Sequence, residues 1–200
     1  SLLIGLSAAL ISGLIGTTLG LCAGYFGGWV DSVVSYIVTT RLAMPVVLVA
    51  LAMAALVGGS LKVVVLVLGF LLWDRFAVVT RAATQQIRNQ DFVSAARAAG
   101  LTDLRIIRQE ILPNIMNALI VVATLEMAHA ILLEAALSFL GLGVQPPLPS
   151  WGLMIAEGKQ YMFFQPWVIT IPGVALLLLV LAINLLGDGL RDITAPEARN

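Results

Sequence analysis

The chain has 200 residues, of which 60% are hydrophobic and only 11% are charged, and its formal net charge at pH 7 is zero. Soluble domains carry about 25% charged and about 45–50% apolar residues, so this composition excludes a water-soluble globule and predicts an all-α integral membrane protein. The balanced charge gives no reason to expect a nucleic-acid partner, and the single cysteine, Cys22, has no partner for a disulfide.

Five apolar stretches are long enough to cross about 30 Å of bilayer hydrocarbon, which takes about 20 helical residues. In chain order these are Leu2 to Tyr25, Tyr36 to Val57, Leu61 to Val79, Ile115 to Leu140 and Trp167 to Leu186. Pro45 and Pro172 lie within spans, where each removes a helix hydrogen bond and favours a kink. We therefore predict one domain, residues 1–200, folded as a polytopic bundle in contact with membrane lipid.

In the first span, glycine recurs every four residues, at Gly16, Gly20, Gly24 and Gly28. This spacing predicts a smooth face on which another helix packs closely.

The orientation follows from the arginines, because short loops rich in Lys and Arg stay in the cytoplasm. The segment between the third and fourth spans holds five arginines, which are Arg81, Arg88, Arg97, Arg105 and Arg108. This segment is predicted to be cytoplasmic, with the turn at 27–31 and the Arg191 tail on the same side. Ser1, the turn at 58–60 and a loop at 141–166 then lie outside. An odd number of spans that starts outside predicts a further helix before Ser1.

The cytoplasmic loop at 91–113 is predicted to contain a short alanine-rich helix. Asp91 can cap its first turn, and Gly100 can adopt the left-handed conformation that ends it. Thr102 or Asp103 then begins a second short helix, and Pro113 is tolerated where the next span starts. Two interpretations remain open from the residues alone: a docking surface for a separate protein, or an amphipathic connector on the lipid headgroups.

Three ionisable residues lie within the fourth span: Glu126, His129 and Glu134. Glu126 and His129 are three residues apart and share a helix face, and Glu134 is expected close to that face. Ionisable side chains at this depth are costly unless they face a partner or a watery path. They are candidates for lining a transport pathway, and the alternative is a purely structural role.

The outer loop at 141–166 is rich in proline and aromatic residues, which suit the membrane interface. We expect much of it to lie across the mouth of a pore, where it can receive a substrate-loaded binding protein. An aromatic belt without a partner is the alternative.

The run from Ser94 to Gly100, followed by Ile111-Leu112-Pro113, resembles the "EAA" loop of bacterial ABC-type importer permeases, with Ser94 in place of the leading Glu. In that family the loop is a coupling helix that inserts into a cleft of the ATP-binding subunit. The resemblance implies a coupling role for seven residues, which are Asp91, Ser94, Ala95, Ala96, Arg97, Gly100 and Arg105.

A second motif runs from Glu134 to Pro147 and leads to Pro149-Ser150-Trp151-Gly152. It resembles the signature of dipeptide, oligopeptide and nickel permeases, specifically the C-type permease subunit. The resemblance implies a type I ABC importer transmembrane domain with six helices in the full protein, located in the bacterial inner membrane. It further implies a homologous permease, an extracytoplasmic substrate-binding protein and two ATP-binding subunits that bind ATP and Mg²⁺.

No catalytic, cofactor-binding or metal-binding residue is predicted in this chain, which lacks the Gly-x-x-x-x-Gly-Lys-Ser/Thr phosphate loop. Two other classes of function stay open. A proton-coupled secondary transporter would use Glu126, His129 and Glu134 as a relay. An intramembrane metalloenzyme would use the same side chains as ligands.

Overall fold

The computed structural model describes residues 1–194, and every regular element in that range is helical. The α-helices are α1 (Leu2–Phe26), α2 (Gly28–Leu42), α3 (Val46–Val57), α4 (Leu61–Leu71), α5 (Trp73–Ile87), α6 (Asp91–Ala98), α7 (Asp103–Ile106), α8 (Leu112–Phe139), α9 (Trp151–Gly158) and α10 (Trp167–Thr194). A π-helical turn (Ile107–Ile111) joins α7 to α8, and a 3-10 turn (Lys159–Tyr161) follows α9. The predicted all-α membrane bundle is confirmed.

Four spans are long and apolar enough to cross a membrane within this range, and α2 with α3 forms a bent pair that can serve as a fifth. The four are Leu2–Phe26, Leu61–Ile87, Asp103–Phe139 and Trp167–Ile193. The count of five spans therefore holds only if the bent pair crosses as one unit.

The second span is not the single helix predicted from Tyr36 to Val57. The chain bends by 82° between α2 and α3, and Pro45 stands at the break as the N-cap of α3, in an extended conformation. Proline lacks an N–H donor and disfavours helical geometry in the residue before it, so the predicted kink is a complete break. The Arg41 guanidinium donates to the Met44 carbonyl at this break and to the Leu71 carbonyl at the end of α4.

Three of the predicted spans are shorter than the spans in the structure. The third span is interrupted at Leu72 and continues to Ile87, the fourth begins at Asp103, and the fifth continues to Thr194. An apolar window finds only the part of a helix that lies in hydrocarbon, and these helices extend past it with polar turns. The π-helical turn lies just before Pro113, where the regular hydrogen-bond ladder lacks a donor.

The glycine stripe of α1 packs against α5 as predicted. A Cβ atom added at Gly20 would lie 2.6 Å from the Ala77 carbonyl oxygen, and one at Gly24 would lie 2.8 Å from that of Arg81. At Gly16 it would collide with the Trp73 carbonyl. Such close backbone approach is possible only where the side chain is a hydrogen atom. Gly28 was wrongly included in this stripe, because it belongs to α2 and faces open space.

Two hydrophobic clusters occupy opposite ends of the bundle. One joins α1, α3, α4 and α8 near Ser1 and the α3–α4 turn, and it includes Ile4, Ala54, Leu68 and Leu137. The other joins α1, α5, α6, α7 and the start of α8 around Tyr25. The loop at 91–102 thus shares an end of the bundle with the α1–α2 turn, and the loop at 141–166 shares the other end with Ser1. The predicted orientation requires this grouping, because it places the 91–113 loop with the turn at 27–31 on one side and the 141–166 loop with Ser1 on the other.

Candidate docking surface and buried ionisable sites

Helix α6 presents a face of small residues away from the bundle. Asp91, Ser94, Ala95 and Ala98 are spaced three and four residues apart, so they share one side of the helix, and all four are exposed. The neighbouring Ala99 is exposed as well. We call Asp91, Ser94, Ala95 and Ala98 the outer face of α6. Its short side chains allow a partner to approach the helix backbone closely.

The opposite side of α6 is anchored in the bundle. Val93 is fully buried, and Ala96 packs beside it against the hydrophobic cluster around Tyr25. The outer face is the exposed side of α6 that is made of short side chains, while Phe92 and Arg97 are exposed beside it with longer ones. Ala96, predicted as a coupling residue, lies on the anchored side.

The end of α6 is closed by a left-handed glycine. Gly100 has φ of 81°, its N–H donates to the Arg97 carbonyl, and the N–H of Leu101 donates to the Ala96 carbonyl. This pair of hydrogen bonds is the Schellman motif, in which the residue after the glycine packs back on the helix. Leu101 joins the same hydrophobic cluster as Ala96. Gly100 therefore fixes the direction in which the chain leaves α6.

The start of α6 differs from the prediction. Gln90 is the N-cap, without a side-chain cap hydrogen bond, and Asp91 is the first residue of the helix. The Asp91 carboxylate still lies at the positive N-terminal end of the helix dipole, where a negative charge stabilises the helix. Thr102 precedes α7, whose first residue is Asp103. α7 is not a separate short helix, because it continues through the π-helical turn into α8.

Tyr25, at the end of α1, links the loop to the bundle. Its hydroxyl donates to Asp103 Oδ1 over 2.6 Å and accepts from Arg97 Nη2 over 3.3 Å. The Arg97 guanidinium also lies over the Tyr25 ring, 5.8 Å from its centre. The hydrogen bond to Tyr25 raises the pKa of Arg97 above its ordinary value. Arg88 adds a further link by donating to the Gly24 carbonyl over 2.8 Å.

Tyr25→Phe is expected to loosen the loop without unfolding the bundle. A hydrogen bond to a charged group contributes about 1.5–3 kcal/mol, so hydrogen exchange of amides 91–106 should accelerate by about tenfold or more. Tyr36→Phe is the matched control, because Tyr36 is 74% exposed, and exchange in the loop should not change. Equal exchange in Tyr25→Phe and the wild-type protein would show that the hydroxyl does not hold the loop.

Of the other predicted coupling residues, Arg105 is exposed on α7, next in sequence to the fully buried Ile106. Arg97 is engaged with Tyr25, as described above. Tyr25 was not identified from the sequence as a contact of the loop. The available signal was a tyrosine at the polar end of an apolar helix, where the ring is buried and the hydroxyl seeks a partner.

The predicted cluster of three ionisable residues is divided into two sites. Glu126 is 1% exposed, its Oε1 accepts from Arg75 Nη1 over 3.0 Å, and its Oε2 lies 3.4 Å from His129 Nδ1. The shared face of Glu126 and His129 is thus confirmed. Arg75, which lies within the predicted third span and was not singled out from the sequence, is the missed partner.

Glu134 belongs to a separate site toward the C-terminal end of α8. It is fully buried, and its Oε1 accepts from Ser138 over 2.8 Å and from Ser150 over 2.9 Å. Ser1 donates to its Oε2 over 3.3 Å. Ser150 also caps α9 by accepting from the Leu153 N–H. Glu134 therefore links α9 to α8. The expectation that it lies close to Glu126 was wrong.

The segment at 141–166, predicted as a loop, contains α9 and the 3-10 turn. Phe163 and Phe164 are each 86% exposed beyond them. These two rings retain the exposed aromatic character on which the prediction of an interface or docking loop was based.

A cavity of about 250 Å³ lies beside Glu126, where the two helix breaks meet. Its lining combines the break at Pro45 with the break at Leu72. The charged and polar groups that line it are Arg41, Asp74, Arg75, Glu126 and His129. Within residues 1–194, no three His, Cys, Asp or Glu side chains converge in a way that could hold a metal ion.

Comparison with known proteins identifies related sequences. Residues 16–200 match the profile of a family described as "Binding-protein-dependent transport system inner membrane component". The chain is 40% identical to the dipeptide transport system permease protein DppC of Alkalihalophilus pseudofirmus and 44% identical to the di/tripeptide transport system permease protein DppC of Pseudomonas aeruginosa. It is 38% identical to the glutathione transport system permease protein GsiD of Pectobacterium atrosepticum. Each alignment covers 100% of this chain and 66% of the relative, so the chain spans just under two thirds of their length.

Solved structures share the fold. Two inward-facing crystal forms of the MetNI methionine ABC transporter superpose on the chain with TM-scores of 0.78 and 0.74, each at 21% identity. The first alignment covers 96% of this chain and 91% of that one, and the second covers 96% and 93%. The fold is therefore that of the transmembrane domain of this importer.

Proposed function

Because the chain belongs to the family of inner-membrane components of binding-protein-dependent transport systems, we propose that it couples an external ATPase to the import of di- or oligopeptides. It is a multi-pass protein of the bacterial cytoplasmic membrane. A homologous permease completes the translocation path, and an extracytoplasmic binding protein delivers the substrate. ATP and Mg²⁺ are bound by two separate ATP-binding subunits, so this chain transmits movement and does no chemistry itself.

The outer face of α6 is the observation that carries this proposal. It is exposed and made of small residues, while the opposite side is anchored through Val93 and the end is fixed by Gly100. A helix held in this way can receive a load on one side and pass it to the bundle. A connector that rests on lipid headgroups would instead need a broad apolar face turned toward the membrane. On α6, Val93 points into the protein, and the single ring of Phe92, 37% exposed, does not make such a face.

The path of the movement follows from continuity of the chain. α7, the π-helical turn and α8 form one span from Asp103 to Phe139. Tyr25 of α1 binds Asp103 at the start of this span and Arg97 of α6. Displacement of α6 by closing ATP-binding subunits would therefore tilt α8 and α1 together. Such tilting changes the populations of inward-open and outward-open states.

The cargo class rests on the relatives. Those named above are described as permeases for dipeptides, di- and tripeptides and glutathione, which are all peptides. This favours a peptide cargo over the nickel or other small solute that the sequence motif also allows.

The test is purification of the full-length chain through an affinity tag. We expect two ATP-binding subunits and a second permease to co-purify, and peptide uptake in proteoliposomes to require ATP. A proton-coupled secondary transporter would purify without an ATPase and transport with a proton gradient alone. An intramembrane metalloenzyme would retain stoichiometric metal and lose it on His129→Ala. Either of these results would refute the proposal.

A further inference from the structure

The site formed by Arg75 and Glu126 lies deep in the membrane. Arg75 is near the middle of the span Leu61–Ile87, and Glu126 is near the middle of α8. At 1.5 Å per residue, each is about 20 Å from the nearer helix end. The two residues thus share the central part of the bilayer.

This side of the bundle cannot face lipid. The Arg75 side chain is 58% exposed, although Glu126 beside it is 1% exposed. An exposed guanidinium at the bilayer centre is costly, and such groups almost always face a bundle interior or a watery cavity. The helix breaks at Pro45 and Leu72 border the same cavity, and irregular backbone at this depth is tolerated only where it is covered by protein or lines a cavity. In the proposed importer with two permeases, the side that faces away from lipid is the one next to the second permease and the translocation path.

Glu126 and Arg75 have different roles at the cavity. Glu126 uses both carboxylate oxygens, one for Arg75 and one for His129, and it is too buried to meet a ligand. A guanidinium has five N–H donors in a planar fork, and the bond to Glu126 uses one of them. Glu126 thus acts as a positioning residue, and Arg75 is the group that presents donors to the cavity.

We infer that Arg75 contacts the C-terminal carboxylate of a peptide as it passes through the cavity. The planar fork of arginine matches a carboxylate. A volume of about 250 Å³ admits the terminal residue of a peptide and not a whole oligopeptide. A guanidinium already shared with Glu126 binds weakly, which suits a contact that must release its substrate. This inference rests on the proposed function, because it assumes a peptide cargo.

The experiment compares Arg75→Gln with the double variant Arg75→Gln/Glu126→Gln in proteoliposomes that contain the whole importer. The probe is a dipeptide with a free carboxylate, delivered by its binding protein, and both uptake and ATP hydrolysis are measured. The double variant separates two causes, because it removes the unpaired buried charge that Arg75→Gln leaves on Glu126. Lys62→Gln, an exposed cation at the start of α4, is the matched control.

We expect both Arg75 variants to lose about tenfold or more of uptake per ATP hydrolysed, which corresponds to about 1.4 kcal/mol, while Lys62→Gln matches the wild type. The second permease should still co-purify with every variant. A dipeptide with a C-terminal amide should be imported at the same rate by the wild type and by Arg75→Gln.

Four results would overturn the inference. The double variant could recover uptake, which would mean that Arg75 only neutralises Glu126. Arg75→Gln could lose the second permease on purification, which would mean that Arg75 binds a carboxylate of that subunit and not of the peptide. Uptake per ATP could be the same in Arg75→Gln as in the wild type. Finally, Arg75→Gln could reduce uptake of the C-terminal amide as much as uptake of the free acid. Absence of any ATPase from the wild-type preparation would instead refute the proposed function, so the two failures are distinguishable.

Discussion

Ala95→Trp is expected to reduce ATP-driven uptake at least about a hundredfold while the permease still folds and inserts. Ala95 is exposed on the outer face of α6, so an indole there would not disturb the hydrophobic cluster beneath the helix. It would hold the ATP-binding subunit away from the backbone of α6. Loss of a central interface contact costs about 2–4 kcal/mol or more, and about 1.4 kcal/mol corresponds to a factor of ten. Uptake and ATP hydrolysis in proteoliposomes measure the effect.

Ala95→Ser is the matched control, because it keeps the side chain small and should retain uptake. Ala96 is less suitable for this test, since it packs against the cluster around Tyr25 and a large side chain there would also disturb the fold. Normal uptake by Ala95→Trp would exclude close docking on the outer face of α6.

Gly20→Leu is expected to prevent α1 from packing on α5. Its Cβ would lie 2.6 Å from the Ala77 carbonyl oxygen, and a backbone atom cannot move aside as a flexible side chain can. Overpacking costs about 1–3 kcal/mol and occasionally more, so the ratio of folded to unfolded protein should fall by about tenfold or more. The measurement is the yield of monodisperse protein in detergent, together with its thermal unfolding midpoint.

Gly173→Leu is the control for this substitution. Gly173 also lies within a membrane helix, but apart from its chain neighbours and its own helix backbone no atom lies within 4 Å of a Cβ built there. Its yield should match that of the wild type. If Gly20→Leu were as stable as Gly173→Leu, the close contact between α1 and α5 would be refuted.

Much of the fold follows from local patterns. Long apolar runs locate the spans, because each helix must satisfy its own backbone polar groups in lipid. The spacing of Gly16, Gly20 and Gly24 indicated a packing face, and Gly100 indicated where α6 ends. These features depend on residues that are neighbours along one helix, which is why sequence alone was informative.

Other features depend on contacts between distant segments. The pairing of Arg75 with Glu126 joins residues 51 positions apart, and that of Tyr25 with Asp103 joins residues 78 apart. No periodicity within one helix contains such information. The assignment of Glu134 to the Glu126 site failed for a different reason, because eight residues along α8 separate the two carboxylates by about 12 Å. The bond between Glu134 and Ser150, 16 positions away, is again a contact that no helix pattern contains.

The docking of α6 is tested most directly by cysteine protection. Ala98→Cys, in a chain whose exposed Cys22 is replaced by serine, places a small thiol on the outer face of α6. We expect a maleimide to label it in permease stripped of ATP-binding subunits and to leave it unlabelled in the complete complex. Ser32→Cys, exposed near the start of α2, should react in both. Equal labelling of Ala98→Cys with and without the ATP-binding subunits would contradict the account.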